Sequence, residues 1–220
     1  DMLRLVHPKP HDAEHDALYS YLMDRPYTFE NLPKAVQQFE AFKKGDSTEI
    51  PAVDFRRLQS LPLSDKDWLH VANNMTWNQL RMNLRSLGRH NVWKNADLTK
   101  TLAAKLGDPK QVQRAVALPF ALMQTLQAVE QDTEIPQIIR NAVVDAVEAS
   151  VENAPTLPGN VLIMVDDSGS MRSAAMGARG HTGGALMSCS EVARYFAAGI
   201  SKKNPNNTTL FAFDTSIRKV

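Results

Sequence analysis

Residues 161–170 read VLIMVDDSGS, five apolar residues followed by two aspartates and a Ser-Gly-Ser turn. Five consecutive apolar residues bounded by turn formers are typical of a strand buried in a parallel sheet. A helix is predicted from about 188 to 200 and a second strand over 208–213, which gives one strand–helix–strand unit. Open α/β sheets bind ligands at the C-terminal ends of their strands, so residues 166–170 form the first candidate site.

The polar part of this stretch has the spacing of a metal loop. Asp166, Ser168 and Ser170 form the pattern D-x-S-x-S, in which one carboxylate and two hydroxyls can meet on a single loop. These are hard oxygen ligands, suited to Mg²⁺ and also to Mn²⁺ or Ca²⁺. Three ligands with one formal charge predict weak binding of the cation.

Other interpretations of the same residues are less consistent with the pattern. Asp167-Ser168-Gly169 matches the D-[ST]-G of aspartic proteases, but that chemistry needs a second copy and none is present. A haloacid dehalogenase-type phosphatase needs D-x-D, and Ser168 stands at the second position. The glycine-rich residues 177–184 lack the G-K-[ST] ending of a phosphate-binding loop. A simple capping role for Asp166 and the two serines stays open, and Asp214 is interpreted as a turn residue.

Before residue 159 the pattern is helical almost throughout. Ser64 with Asp67, and Thr76 with Gln79, have the spacing of capping boxes. A leucine stripe follows the second box, and Gly88 is predicted to end that helix. Further helix starts are predicted near residues 95, 109, 119 and 136. Short helices joined by short turns favour a stack of helical repeats.

Three breakers, Pro155, Pro158 and Gly159, separate the helical part from the strand. The predicted organisation is therefore a helical-repeat region over 1–154, a linker over 155–160 and the beginning of an α/β domain over 161–220. The predicted fold class is an α-helical array followed by a truncated Rossmann-like domain.

A basic block over residues 56–114 lies between two acidic segments. Three of its arginines are spaced i, i+4, i+8 and are predicted to share one helix face. A dense positive surface attracts phosphate backbones, but charge alone favours a solvated helix face. Core packing is the default interpretation of Trp68, Trp77 and Trp93, with stacking on unpaired bases as the alternative. The candidate contacts to nucleic-acid phosphates or bases are Arg56, Arg57, Arg81, Arg85, Arg89, His90, Lys100, Lys105, Lys110 and Arg114.

Composition excludes several classes of protein. The formal net charge is only +1, so the whole chain has no requirement for DNA or an anionic membrane. A single cysteine, Cys189, fits a reducing compartment, and no apolar run reaches the length of a membrane span. These features predict a cytoplasmic globular protein of one or two domains.

Several motifs, in the same order, resemble TROVE-domain proteins, the Ro ribonucleoprotein autoantigens and their bacterial relatives. They are residues 3–10, Met75-Thr76-Trp77, Asn83-Leu84, residues 89–93, Arg114 with residues 119–121, and the metal loop at 165–171. The resemblance implies a HEAT-repeat ring followed by a von Willebrand factor A domain, with no catalysis. It further implies binding of small noncoding Y-like RNA, of misfolded RNA ends and of an RNA-processing protein. The alternative function is a metal-dependent protein-interaction module in which the helices are only a scaffold.

Overall fold

The computed structural model describes residues 2–175 and 187–220, so the glycine-rich residues 177–184 fall outside the described part. The chain divides into two compact units, residues 1–67 and 68–220. Residues 155–160 therefore lie within the second unit, and the domain boundary that we place there stays a prediction.

The first unit consists of short helices. They are α1 (Met2–Val6), α2 (Ala13–Leu22), α3 (Lys34–Lys44) and α4 (Phe55–Leu58), and α5 (Asp65–Asn74) begins at its end. Tyr21 on α2 donates a 2.6 Å hydrogen bond from its hydroxyl to Glu40 Oε1 on α3, and Glu40 is buried. Gly45 ends α3 in the left-handed conformation, with φ of 84°, which glycine adopts without strain.

The second unit contains most of the helices. They are α6 (Trp77–Met82), α7 (Leu84–Arg89), α8 (Ala96–Gly107), α9 (Pro109–Arg114), α10 (Pro119–Glu130), α11 (Gln137–Ser150) and α12 (Cys189–Lys203). The predicted starts are confirmed: Asn95 and Asp108 cap α8 and α9, and prolines open α9 and α10. The core lies where α11 packs on α8 and α10, around Leu106, Leu122 and Val143.

The helix predicted to run through the leucine stripe is two helices. Its capping box at Thr76 and Gln79 is present, and Leu80, Leu84 and Leu87 are buried as expected. The chain bends at Asn83, whose φ of −115° is not helical. Gly88 does not end the helix, because it lies inside α7, one residue before the last.

A three-stranded mixed sheet ends the chain. Strand β1 (Val161–Asp166) pairs in parallel with β2 (Thr208–Phe213), as predicted. An unpredicted strand, β3 (Ile217–Lys219), pairs antiparallel with β2. The expectation that β1 is buried on both faces is wrong for the residues described: Leu162 and Met164 are 61% and 49% exposed, whereas Val165 on the opposite face is buried.

Helix α12 connects β1 to β2 and packs on α10. The rings of Phe120 and Phe196 stack with centroids 4.6 Å apart, and a Cβ on Gly199 would lie 3.2 Å from Pro119 Cγ. The absence of a side chain at Gly199 therefore allows the two helices to approach closely. Over the described ranges, no helix has the length and apolar character that a membrane span requires.

Candidate functional site

The three arginines with i, i+4, i+8 spacing, Arg81, Arg85 and Arg89, do not share one helix face. Arg81 lies on α6, whereas Arg85 and Arg89 lie on α7, beyond the bend at Asn83. The side-chain Nδ2 of Asn83 donates a 2.7 Å hydrogen bond to the Gln79 carbonyl oxygen, which stabilises the bend. The i, i+4, i+8 spacing predicts one face only for an uninterrupted helix.

Two of these arginines make contacts within the protein. The Nη1 atom of Arg81 donates to Thr125 Oγ1 at 2.9 Å and to the Ala121 carbonyl oxygen at 3.3 Å, both on α10. Burial lowers the pKa of Arg81. Arg85 Nε lies 3.2 Å from the Asp132 carboxylate. Arg81 and Arg85 thus join α6 and α7 to α10 and the turn that follows it.

Arg89 instead lines an open cavity of about 580 Å³ in the second unit. The cavity is formed by the end of α7, the 3-10 turn Val92–Lys94 and the turn before α11. Its other lining residues are Gly88, Asn91, Trp93, Lys94, Glu134 and Pro136. Arg89, Lys94 and Glu134 are exposed. The cavity therefore combines two cations, one indole and one carboxylate.

Gly88 brings the indole and the carboxylate to the same point of this cavity. A Cβ built on Gly88 would lie 3.3 Å from Trp93 Nε1 and 3.7 Å from Glu134 Oε2. The Trp93 N–H is buried and has no hydrogen-bond partner among the described residues. Neither Arg89 nor Lys94 forms an ion pair with the Glu134 carboxylate, and no other cation in the described part of the chain does.

The remaining candidates of the basic block are dispersed. Lys105 donates through Nζ to the Met75 carbonyl oxygen, and the His90 ring stacks on buried Trp68 with centroids 4.1 Å apart. In the first unit, Arg56 pairs with Asp54 at 3.0 Å. The candidates with exposed side chains are Arg56, Arg57, Arg89, Lys100, Lys110 and Arg114. The structure brings none of the other predicted contacts into the cavity beside Arg89.

Sequence reasoning missed two residues of the cavity, Lys94 and Glu134. Lys94 directly follows Trp93, so the aromatic–basic pair was a signal that could have identified it. Glu134 gives no signal in the sequence, because it reaches the cavity from the turn between α10 and α11.

A second cavity of about 690 Å³, in the first unit, is lined by Lys43, Lys44 and Lys66.

The predicted metal loop has its hydroxyls close together. Ser168 Oγ and Ser170 Oγ are 3.2 Å apart, and Asp166 Oδ1 accepts a 2.8 Å hydrogen bond from the Ser168 amide. A carboxylate that caps a turn accepts the same kind of bond as Asp166 accepts from the Ser168 amide. The capping interpretation of Asp166 therefore remains open. Among the described residues no cluster of three or more His, Cys, Asp or Glu could hold a metal ion.

Asp167 has a different role from its neighbours. It accepts hydrogen bonds from Ser190 at 2.7 Å and from Arg218 at 2.6 Å, and it also pairs with Arg194. These bonds, that from Ser190 foremost, lower the pKa of the Asp167 carboxyl. Asp167 therefore joins the end of β1 to α12 and β3.

Asp214 accepts a hydrogen bond from the Ser216 amide at 2.9 Å, which confirms it as a turn residue.

No protein-family model matches the chain, and no curated protein matches it. Among solved structures, the crystal structure of the Deinococcus radiodurans RO (RSR) protein matches it with a TM-score of 0.65 at 19% sequence identity. The match covers 99% of this chain and 46% of that one. The chain has the fold of part of a Ro protein. The resemblance predicted from the motifs is thereby confirmed for the fold.

The Ro match confirms the coarse architecture, which is mostly helical with a small mixed sheet at the end. The HEAT-like repeat and the von Willebrand factor A assignment stay predictions. Because the chain spans about half of the Ro protein it matches, the activity and partners of a whole Ro protein come to this chain only as proposals.

Proposed function

We propose that this chain is an RNA-binding protein of the Ro type that contacts single-stranded RNA at the cavity around Trp93. The observation that carries the proposal is that Arg89, Trp93 and Lys94 line one open cavity. Single-stranded nucleic acid binding commonly combines positive groups that follow the backbone with aromatic groups that contact bases. The Ro fold supports the same function.

The size of the cavity is suitable for one nucleotide. Its volume of about 580 Å³ lies within the range of ordinary small-molecule pockets. Trp68 and Trp77 are buried in the core, whereas Trp93 is only partly buried and lines the cavity. Trp93 is therefore the one tryptophan of the three for which base contact is proposed.

The proposed partners are those of the Ro family: small noncoding Y-like RNA, misfolded RNA ends and an RNA-processing protein. The exposed cations Lys100, Lys110 and Arg114 extend the proposed phosphate-contact surface along α8 and α9. We propose a HEAT-like arrangement for the helices and no catalytic activity.

The experiment is a salt titration of RNA affinity with a charge-matched control. The double variant Arg89→Ala with Lys94→Ala removes the two cations of the cavity. It should weaken binding of a single-stranded RNA and reduce the slope of log K against log salt by about 1 to 1.5, because each lost phosphate contact contributes roughly 0.7. The control is Lys202→Ala with Lys219→Ala, which removes the same charge from exposed positions on α12 and β3. Equal effects of the two double variants would contradict the proposal.

A second candidate function rests on the metal loop. Adjacent ligands of an octahedral Mg²⁺ at about 2.1 Å are roughly 3 Å apart, and the Ser168 and Ser170 hydroxyls are 3.2 Å apart. The donor set is therefore compatible with a Mg²⁺ ion bound by Asp166, Ser168, Ser170 and water. Such an ion would offer open coordination positions to a carboxylate of a protein partner, as in the alternative protein-interaction function.

A further inference from the structure

The Glu134 carboxylate is the one feature of the cavity that phosphate binding does not explain. An anion beside Arg89 and Lys94 repels phosphate and reduces the local positive potential. Glu134 forms no ion pair with either cation, so neutralising them is not its role in the described structure. A carboxylate only accepts hydrogen bonds. Its position in the cavity therefore calls for a ligand that presents N–H donors.

The nucleobases differ in the donors that they present at the Watson–Crick edge. Guanine has two adjacent donors, the N1–H and the N2 amino group, which match the two oxygens of one carboxylate. Cytosine and adenine present one amino group beside an acceptor nitrogen, and uracil presents one imino N–H between two carbonyl oxygens. Unpaired bases in single-stranded RNA are commonly recognised through these edges. Guanine is thus the base best suited to Glu134.

The indole of Trp93 provides the complementary group. Guanine carries the O6 acceptor next to its N1–H. The Trp93 N–H, near the Glu134 oxygen, is a donor that no described residue accepts from. Both atoms lie within 4 Å of one point, the position that a Gly88 Cβ would occupy. A buried donor without a partner is costly, so an acceptor brought in by a ligand would relieve that cost.

We infer that the cavity selects guanine, with the Glu134 carboxylate accepting from N1–H and the N2 amino group, the Trp93 N–H directed at O6, and Arg89 and Lys94 contacting the flanking phosphates. This inference rests on the proposed RNA-binding function. It names the base that the site takes, whereas the proposed function requires only cations and an aromatic ring.

The experiment measures binding of fluorescein-labelled RNA oligonucleotides of about ten nucleotides by fluorescence anisotropy. Each is an adenine tract with one central guanine, inosine, cytosine or uracil, or with adenine throughout. The full chain should bind the guanine oligonucleotide about ten-fold more tightly than the all-adenine one, the size expected for one bidentate contact. Inosine lacks the N2 amino group and should lose most of this preference.

The variant Glu134→Gln should lower the affinity for the guanine oligonucleotide to that for the all-adenine one, which itself should rise modestly because a charge that repels phosphate is removed. Glu130→Gln is the matched control, because Glu130 is an exposed carboxylate at the end of α10 and does not line the cavity. It should keep the full preference. Thermal unfolding of each variant confirms that it is folded.

The other outcomes distinguish failure of the guanine inference from failure of the proposed function. If the unaltered chain binds all the oligonucleotides equally, the guanine inference is wrong and the RNA-binding proposal stands. An equal rise in affinity for every oligonucleotide in Glu134→Gln would show that Glu134 only repels phosphate, which also overturns the inference. If the chain binds none of them, both the inference and the proposed function are overturned.

Discussion

The indole Nε1 of Trp77 donates a 2.9 Å hydrogen bond to the carbonyl oxygen of Leu106. Leu106 lies in the last turn of α8, where backbone carbonyls have no partner within the helix. Trp77 is 4% exposed and Leu106 is fully buried, so water does not substitute for this bond. A side chain from the start of α6 therefore provides the hydrogen-bond donor for a backbone carbonyl at the end of α8.

Replacing Trp77 by Phe should lower the free energy of unfolding by about 1–3 kcal/mol, because the Leu106 carbonyl loses its partner in a buried site. Urea unfolding followed by circular dichroism measures this. Trp93→Phe is the matched control, since the Trp93 N–H has no partner among the described residues. Comparable losses in the two variants would show that ring volume, and not the hydrogen bond, causes the effect.

Lowering the pH should weaken the bonds that Asp167 forms with Ser190, Arg194 and Arg218. The pKa of Asp167 in the folded protein lies below its ordinary value of 3.8, so its contribution to stability is present above that pH and is lost as the pH falls through the lower folded value. We expect Asp167→Asn to lower the melting temperature near neutral pH and to flatten its decline below about pH 4. Glu148→Gln, an exposed change on α11, should do neither. An unchanged acid profile in Asp167→Asn would contradict the proposed network.

Alkali should act on the first unit through Tyr21. Burial, together with the hydrogen bond to Glu40, raises the pKa of Tyr21 to about 12. Because the folded value exceeds the ordinary value of 10.0, the contribution of Tyr21 to stability is present below pH 10 and is lost as the pH rises towards about 12. Ultraviolet titration of tyrosinate should show one late group that Tyr21→Phe removes and Tyr19→Phe retains. A titration without a late group would refute the expected shift.

Calorimetric titration with MgCl₂ should detect weak binding, because the loop supplies three protein ligands and a single formal charge. Asp166→Ala should abolish the heat of binding. Asp214→Ala, which alters a turn carboxylate after β2, should leave it unchanged. Tight binding that survives Asp166→Ala would place the cation outside this loop.

Local sequence signals predicted local structure well. The capping box at Thr76, the prolines that open α9 and α10, and the parallel pairing of β1 with β2 each depend on residues that are close in sequence or on a single connection. Strand β3 was missed because residues 217–219 are short and exposed, so they have no alternating apolar pattern. Its pairing with β2 is visible only in three dimensions.

The candidate site was only partly predictable. Helical spacing placed Arg81 with Arg89, but Asn83 interrupts the helix and Arg81 turns towards Thr125. The charge of a segment identifies a basic block. It does not distinguish a side chain that bonds within the protein from one that lines a cavity. Glu134 comes from a turn distant in sequence, and only the folded chain brings it beside Gly88. The exposed Leu162 and Met164 also disagree with a strand judged by composition alone.

Gly88 gives a simple criterion for comparing this chain with natural sequences. Any residue other than glycine would place a carbon 3.3 Å from the Trp93 nitrogen, in the space where the indole and the Glu134 carboxylate approach each other. In related sequences, glycine at this position should therefore occur together with the tryptophan and the acidic residue of the cavity. In a relative with a bulky residue at this position, we expect the indole and the acidic residue to vary freely, and we expect that protein to bind its nucleic acid without preference for a base.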